Sequence, residues 1–194
     1  MSVTVKVVQD PDAESPRQYE NWGVMACWHN RYKLGDVQPR QSGEEWLADL
    51  ENVPPGSVIL PLYLYDHSGI TMSTGKFSCP WDSGQVGWIV ATPERMRKMG
   101  GWKLITAKRR ALVESYLKQE VSTYDDFLTG NVWGYVIEQM HDCSECSAKV
   151  HDTEDEDSCW GFIGSDKSTL DAMKHHVDAK HHAALEAAWH NRGA

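Results

Sequence analysis

The sequence is poor in the aliphatic residues from which most protein cores are built. Leu, Ile, Val and Phe together number 37 of 194 residues, about 19%, and the formal net charge is −9. Both values lie near those of disordered chains. However, the chain also has nine Trp, seven Tyr and seven Met, and disordered segments are poor in aromatic residues. We therefore predict a folded chain whose core uses large amphipathic rings.

Long hydrophobic runs and an excess of positive charge are also missing. The longest apolar run, residues 58–65, is far shorter than the roughly 18 residues that a membrane span requires. The N-terminus alternates apolar and polar residues and does not resemble a secretion signal, so we expect a cytoplasmic protein without a membrane partner. With 19 basic and 28 acidic residues, the net charge disfavours direct binding of nucleic acid.

Hydrophobic periodicity predicts an α+β fold. Alternating or continuous apolar runs indicate five or six strands, at residues 3–7, 23–29, 58–65, 86–91, 132–138 and 158–163. Apolar residues three or four apart indicate about four helices, which follow the caps Ser42 and Thr92 and begin near residues 106 and 169. The order of these elements indicates a single domain with a mixed or mainly antiparallel sheet. We assign residues 1–164 to this core and residues 165–194 to a C-terminal helix that packs on it or extends from it.

A connection of about 20 residues, 66–85, concentrates polar groups beside the strand that we predict to be central. Its acidic, imidazole and thiol side chains are Asp66, His67, Cys79 and Asp82. Connections this long without secondary structure are usually functional or disordered. The simplest interpretation is a loop whose Asp and Ser side chains satisfy its own backbone, with Cys79 and Trp81 as packing residues.

Three kinds of chemistry could use these residues. A Cys79 thiolate with His67 or His29 as its base would form a nucleophile pair. Carboxylates and imidazoles could instead ligate a divalent metal for hydrolysis; the candidates are His29, Asp36, Asp66, His67 and Asp82. A recognition surface would present polar loop groups and a Trp ring to a partner; its candidates are Asp66, His67, Ser68, Trp81, Asp82 and Ser83.

Two strings in this region resemble a known family. Residues 62–70 (LYLYDHSGI) and 79–87 (CPWDSGQVG) are similar to an uncharacterised family found in bacteriophages, prophages and some plasmids. Shorter blocks at 14–17, 28–36 and 157–162 resemble other parts of that family, and the similarity covers most of residues 10–92 and 124–164. The final helix and residues 143–146 depart from the family pattern. The resemblance implies a phage origin and no particular activity.

The cysteines point to a second candidate site. Five cysteines and no secretion signal favour reduced thiols or a metal over a disulfide framework. Cys143 and Cys146 have the spacing of a zinc knuckle, and a closed tetrahedral site would need two more ligands. The candidates for those are His141, His151 and Cys159. We predict a structural zinc ion here; the alternative is a pair of reduced, exposed thiols.

Two further charged segments have simpler explanations. The acidic run at residues 152–157 is typical of a solvated hairpin tip, with mimicry of nucleic-acid phosphates as the alternative. Acidic and His side chains three or four residues apart on the last helix predict a solvated, pH-sensitive face. They are Asp171, His175, Asp178, His182, Glu186 and His190.

The chain is acidic and rich in Trp, and it contains no complete catalytic signature. We therefore predict a phage-encoded cytoplasmic accessory protein that binds a host protein, for host takeover or counter-defence, without catalysis. One alternative is a small metal-dependent hydrolase that uses residues 66–82, and another is an acidic inhibitor of a host nuclease or restriction system. Convergence of the five candidate metal ligands on one point in a cleft would favour the hydrolase.

Overall fold

The computed structural model describes the backbone of residues 2–142 and 149–192, and the side chains of residues 3–138 and 157–192. Its strands are β1 (Ser2–Gln9), β2 (Val24–Cys27), β3 (Val58–Asp66), β4 (Ile70–Ser73), β5 (Ser83–Ala91), β6 (Val132–Asp142) and β7 (Lys149–Ile163). Its α-helices are α1 (Gly43–Ala48), α2 (Pro93–Gly100), α3 (Ala107–Leu128), α4 (Lys167–Lys174) and α5 (His182–His190). The α+β class predicted from the sequence is confirmed.

The chain forms two compact units, one from residues 15–129 and the other from residues 1–14 with 130–194. The described strands divide in the same way, into an antiparallel sheet of four strands and one of three. This differs from the expected single sheet of five or six strands. Alternation identifies a strand but not its neighbour, and β1 pairs with β6, which lies more than 120 residues later in the chain.

In the unit of residues 15–129, the sheet has the order β2-β5-β3-β4 and packs against α3. The helix buries Val113, Leu117, Val121 and Tyr124, which recur at three- or four-residue spacing. The sheet contributes Met25, Leu62, Leu64 and Ile89 to the same core. Fully burying each such side chain stabilises the fold by about 1.5–3 kcal/mol.

The connection at residues 66–85 contains a strand that the sequence analysis did not predict. β4 pairs with the end of β3, with Asp66 opposite Ile70. The two strands are joined by a tight turn in which Ser68 has φ 57° and Gly69 has φ 155°. β4 is only four residues long, so its alternation was too short to distinguish from a loop. The long loop is therefore a hairpin followed by a shorter segment, residues 74–82.

In the unit built from both chain ends, the sheet has the order β1-β6-β7. Helices α4 and α5 cover it, and its core consists of Val7, Tyr135, Ile137, Leu170, Met173, Val177, Leu185 and Trp189. Strand β7 includes residues 152–157, so the acidic run belongs to a strand and is not a hairpin tip. Among the described residues, no helix is long and apolar enough to cross a membrane.

The predicted C-terminal helix is two helices. α4 ends at Lys174, a 3-10 turn follows at Ala179–His181, and α5 begins at His182. The ring nitrogen Nε2 of His182 lies 3.1 Å from the Lys174 carbonyl and 2.9 Å from the Val177 carbonyl. Carbonyl groups at the C-terminal end of a helix have no partner within the helix, and the His182 ring contacts two carbonyl groups at and just after the end of α4. The acidic and His residues therefore do not form one continuous helical face.

Candidate functional site

A cleft of about 650 Å³ opens where β2 ends in the four-stranded sheet. Its lining residues are Cys27, Trp28, His29, Asn30, Arg31, Gln38, Pro39, Asp66, Gln85 and Val86. We call it the Asp66 cleft. Six of these ten residues carry polar or charged side chains, so the cleft offers several hydrogen-bond donors and acceptors. Mixed donor and acceptor groups in a concave site are typical of ligand or peptide recognition.

A glycine allows the strands beneath this cleft to approach each other. Gly87 of β5 pairs with Cys27 of β2, and a Cβ atom on Gly87 would lie 2.1 Å from the Ala26 carbonyl oxygen. Beyond this pair, the Trp28 amide donates to the Val86 carbonyl at 2.7 Å. The Trp28 ring also packs edge-on against Trp88, with ring centroids 5.6 Å apart. These contacts hold the segment that leads into His29.

The loop after β2 is linked to the end of β3 through Asp66. The guanidinium of Arg31 donates to Asp66 Oδ2, and the Tyr32 hydroxyl donates to Asp66 Oδ1 at 3.4 Å. The Nδ1 atom of His29 accepts hydrogen bonds from the Arg31 and Tyr32 amides, at 3.3 and 3.1 Å. Nδ1 therefore carries no proton, which assigns the proton of the neutral ring to Nε2. His29 is held in place by its own loop.

The segment of residues 79–83, which we call the Trp81 turn, adjoins the cleft. The Asp66 amide donates to the Asp82 carbonyl at 2.8 Å, and the Ser83 hydroxyl donates to the Cys79 carbonyl at 2.5 Å. Asp82 Oδ2 lies 3.5 Å from both Cys79 Sγ and His67 Nδ1. Of the residues predicted for a recognition surface, the structure therefore brings together Asp66, His67, Asp82 and Ser83. Ser68 lies in the adjoining β3–β4 turn, and Trp81 lies within the Trp81 turn.

Trp81 has the most exposed large apolar side chain described, at 92%. It is not the packing residue that the simplest interpretation of this segment assumed. The Asp82 carbonyl and the Ser83 hydroxyl form hydrogen bonds that link the turn to Asp66 and to Cys79, so the backbone on both sides of the exposed Trp81 is held. The ring is an exposed apolar element beside a cleft that is lined mainly by polar side chains.

Asp36 is not part of this site. Its carboxylate accepts hydrogen bonds from Arg17 Nε at 3.0 Å, from Arg17 Nη2 at 2.5 Å and from the Met25 amide at 2.7 Å. The predicted metal ligands therefore do not converge. Among the described residues, no group of three or more His, Cys, Asp or Glu side chains is placed to hold a metal ion. The geometry thus lacks the ligand set that the hydrolase alternative requires.

The second predicted site falls partly outside the described structure. Cys143 and Cys146 lie outside the described residues, while His141 is on β6 and His151 and Cys159 are on β7. In the β6–β7 ladder, His151 pairs with Met140 and Cys159 pairs with Tyr135. Five residues of β6 separate these positions by about 17 Å, too far for His151 and Cys159 to share an ion at about 2.0–2.3 Å. Zinc at Cys143 and Cys146 stays a prediction.

Cys27 lines the cleft but is chemically protected. Burial, and secondarily the negative charge of Asp36, raise the pKa of the Cys27 thiol to about 12. Because the thiolate is the reactive form, we expect iodoacetamide at pH 8 to alkylate Cys79 and Cys159 of the folded protein and to leave Cys27 unmodified. Peptide mass spectrometry after timed quenching measures this. Alkylation of Cys27 at the rate of Cys79 in folded protein would contradict it, and denatured protein, in which all thiols react, is the control.

The sequence predicted the side of the site that contains Asp66 and the Trp81 turn, but it did not predict the opposite wall of the cleft. It singled out the Trp81 turn and Asp66, but it did not select Arg31, Asn30, Gln38 or Gln85 as site residues. The run His29-Asn30-Arg31 directly after a strand was the available signal, since residues at strand ends commonly line sites.

Comparison with known proteins adds no assignment. No family model matches this sequence, and no curated protein or solved structure gives a significant match. The function must therefore be argued from the Asp66 cleft and the Trp81 turn themselves.

Proposed function

We propose that this chain binds a partner protein through the Trp81 turn and the adjoining Asp66 cleft, without catalysing a reaction. The observation that carries the proposal is the 92% exposure of Trp81. Trp is among the residues most enriched at the energetic centres of protein interfaces. A large apolar ring kept in water by a fixed turn, with polar groups around it, is typical of an unoccupied interaction site.

The hydrogen bonds of the turn favour tight binding. Asp66, Asp82 and Ser83 hold the backbone on both sides of Trp81, so little conformational entropy is lost when a partner covers the ring. The nearby carboxylate of Asp82 and the ring of His67 provide polar contacts at the edge of the same surface. An apolar centre with a polar rim is the usual arrangement of a specific protein interface.

The identity of the partner rests on the family resemblance. The Trp81 turn lies within the second of the two strings, residues 79–87, that resemble a phage, prophage and plasmid family. We therefore infer that the chain is a phage-encoded accessory protein and that its partner is a host protein, bound for host takeover or counter-defence.

Substitution of Trp81 tests the proposal. The tagged chain is used to retain a partner from host lysate, and the purified partner is then titrated against each variant by calorimetry. We expect one stoichiometric partner, and we expect Trp81→Ala to weaken its binding by at least about 30-fold, the effect of a central interface residue. The free energy of unfolding should change by less than about 0.5 kcal/mol because the ring is exposed.

Leu104 provides the matched control, since it is 74% exposed and apolar and lies outside the site. Leu104→Ala should leave partner binding unchanged. Retention of no stoichiometric partner, or equal binding by the wild-type chain and Trp81→Ala, would contradict the proposal.

A further inference from the structure

A groove of about 810 Å³ follows the outer strand of the three-stranded sheet. One wall is β1, which contributes every residue from 3 to 9, and the other wall is α5, which contributes Ala184, Ala187 and Ala188. A groove that touches seven consecutive strand residues follows the backbone edge of the strand, because successive side chains alternate between the faces. At the Gln9 end it also reaches Trp133 of the neighbouring strand β6.

The ladder between β1 and β6 determines which backbone groups point into this groove. The Asp10 amide donates to the Val132 carbonyl at 2.8 Å, at the end of the β1–β6 pairing. In an antiparallel pair, residues alternate between those that bond to the partner strand and those that point away. Counting back from Asp10, the amide and carbonyl groups of Val3, Val5 and Val7 point away from β6. Among the described strands, none pairs with β1 on that side.

In the four-stranded sheet, other groups of the protein bond to outward-facing backbone groups of both outer strands, β4 and β2. On β4, the Met72 amide donates to the Asp125 carboxylate at 2.6 Å. On β2, the Met25 amide donates to Asp36 at 2.7 Å, and the Met25 carbonyl accepts from the Val37 amide at 3.1 Å. Such coverage prevents an outer strand from pairing with another chain. Within the described residues, the outward-facing backbone groups of Val3, Val5 and Val7 on β1 have no comparable coverage.

Lys6, the charged residue of β1, is not placed to prevent another strand from pairing with the β1 edge. Lysine is a common protective residue on outer strands, but the Lys6 ammonium lies 2.7 Å from Glu138 on the neighbouring inner strand β6. Its ammonium group is therefore directed across the sheet toward β6. Of the described residues that line the groove, the charged ones are Lys6 and Arg192, and Arg192 donates to the carbonyls of Trp189 and Ser165.

We propose that β1 pairs with β1 of a second copy of this chain, in antiparallel orientation about a two-fold axis. A register centred on Val5 places Val5 opposite Val5 of the second copy, and Val3 opposite Val7. These are the residues whose backbone groups face the groove, and opposed β-branched side chains stabilise such pairs. In the same register Lys6 lies opposite Thr4, so no like charges face each other directly. The result is one sheet of six strands.

The size of the contact suits a reversible dimer. Seven strand residues span about 24 Å, and a sheet layer with a helix layer is about 20 Å deep. Each copy would bury roughly 500 Å², or about 1,000 Å² in total, which is at the lower end of specific interfaces. The small side chains of Ala184 and Ala187 are exposed, which allows α5 to approach α5 of the second copy closely. This inference does not depend on the proposed function.

Two variants and a matched control test the dimer. The chain mass is 21.9 kDa, so sedimentation equilibrium over about 1–300 µM should show a mass that rises toward twice that value. Val3→Pro removes an outward amide while leaving the β1–β6 ladder intact, and Ala184→Arg places a charge in the groove. Each should raise the dissociation constant of the dimer at least about tenfold.

The control is Ala183→Arg, the same change on the neighbouring exposed residue of α5, which does not line the groove. It should dimerise like the wild-type chain. Circular dichroism and thermal unfolding of each monomer verify that the variants fold. A monomeric mass at every concentration, or equal weakening by Ala183→Arg and Ala184→Arg, would overturn the proposal.

Discussion

Replacing Arg17 with methionine should lower the free energy of unfolding by about 3–5 kcal/mol, the usual effect of removing one partner from a buried ion pair. The Arg17 side chain is only 5% exposed, and its guanidinium contacts two carboxylates, those of Asp36 and Glu120. The same guanidinium donates to the Gly23 carbonyl at 2.7 Å. Methionine has a similar length but cannot donate a hydrogen bond, so all three acceptors would lose the hydrogen bonds that Arg17 donates.

This cluster connects segments that are far apart in the chain. Arg17 precedes β2, Asp36 follows it, and Glu120 lies on α3. Glu120 also accepts the amides of Trp22 and Gly23. Burial by itself would lower the pKa of Arg17, but its hydrogen bonds and ion pairs with Asp36 and Glu120 more than offset this and raise it. The guanidinium therefore stays charged, and its removal would leave two partly buried carboxylates without their cation.

Urea unfolding monitored by Trp fluorescence measures this effect. The matched control is Lys98→Met, because Lys98 also forms an ion pair, with Glu20, but both side chains are exposed. Exposed pairs contribute about 0–1 kcal/mol, so Lys98→Met should be nearly neutral. If Arg17→Met were no more destabilising than Lys98→Met, the contacts of Arg17 with Asp36 and Glu120 would not hold these segments together.

The Arg17 cluster also shows why part of the fold could not be predicted from one sequence. The partners of Arg17 lie 19 and 103 residues away, and no local pattern links them. Asp36 was predicted as a metal ligand because a carboxylate suits that role, but in the structure it forms an ion pair with Arg17. Periodicity located α3 and most of the strands because their apolar spacing is local. It did not reveal β4 or the break after α4, where the signal is a few residues long or depends on the contacts of His182.

The candidate site was predictable to a similar extent. Local composition identified the segment with Trp81 and Asp82 because polar and aromatic residues are concentrated there. The other wall of the cleft comes from the loop at Arg31 and from Gln85. These residues meet Asp66 only because β2 and β3 both pair with β5, and that strand order is a tertiary property. A single sequence therefore indicated which residues were unusual, but not which of them would become neighbours.

Gly87 allows β2 to pair closely with β5, and this pairing forms the floor of the Asp66 cleft. Its partner in the ladder is Cys27, and the position of an added Cβ would be 2.1 Å from the Ala26 carbonyl oxygen and 3.0 Å from the Cys27 Cα. Both atoms belong to the backbone of β2, so no side-chain rotation can make room. An alanine at this position must push β2 away from β5.

Gly87→Ala should therefore lower the free energy of unfolding by about 3 kcal/mol or more, the upper range for overpacking in a closely packed interior. It should also reduce partner binding, because the shift moves Trp28 away from Val86 and opens the floor of the Asp66 cleft. Gly84, three residues earlier on β5, has no atom within 4 Å of an added Cβ. Gly84→Ala should be neutral or slightly stabilising, by up to about 1 kcal/mol, because alanine restricts the unfolded chain more than glycine does.

Urea unfolding of both variants, together with partner titration at a temperature where each is folded, separates the two effects. The free energy of unfolding reports the β2–β5 contact, and the binding constant of the folded fraction reports the cleft. If Gly87→Ala lost stability but bound the partner as tightly as Gly84→Ala, the Trp81 turn alone would form the interface and the cleft would lie outside it. If the two variants were equally stable, the close approach of β2 to β5 at Gly87 would be contradicted, since an alanine there cannot be accommodated without moving the backbone of Ala26.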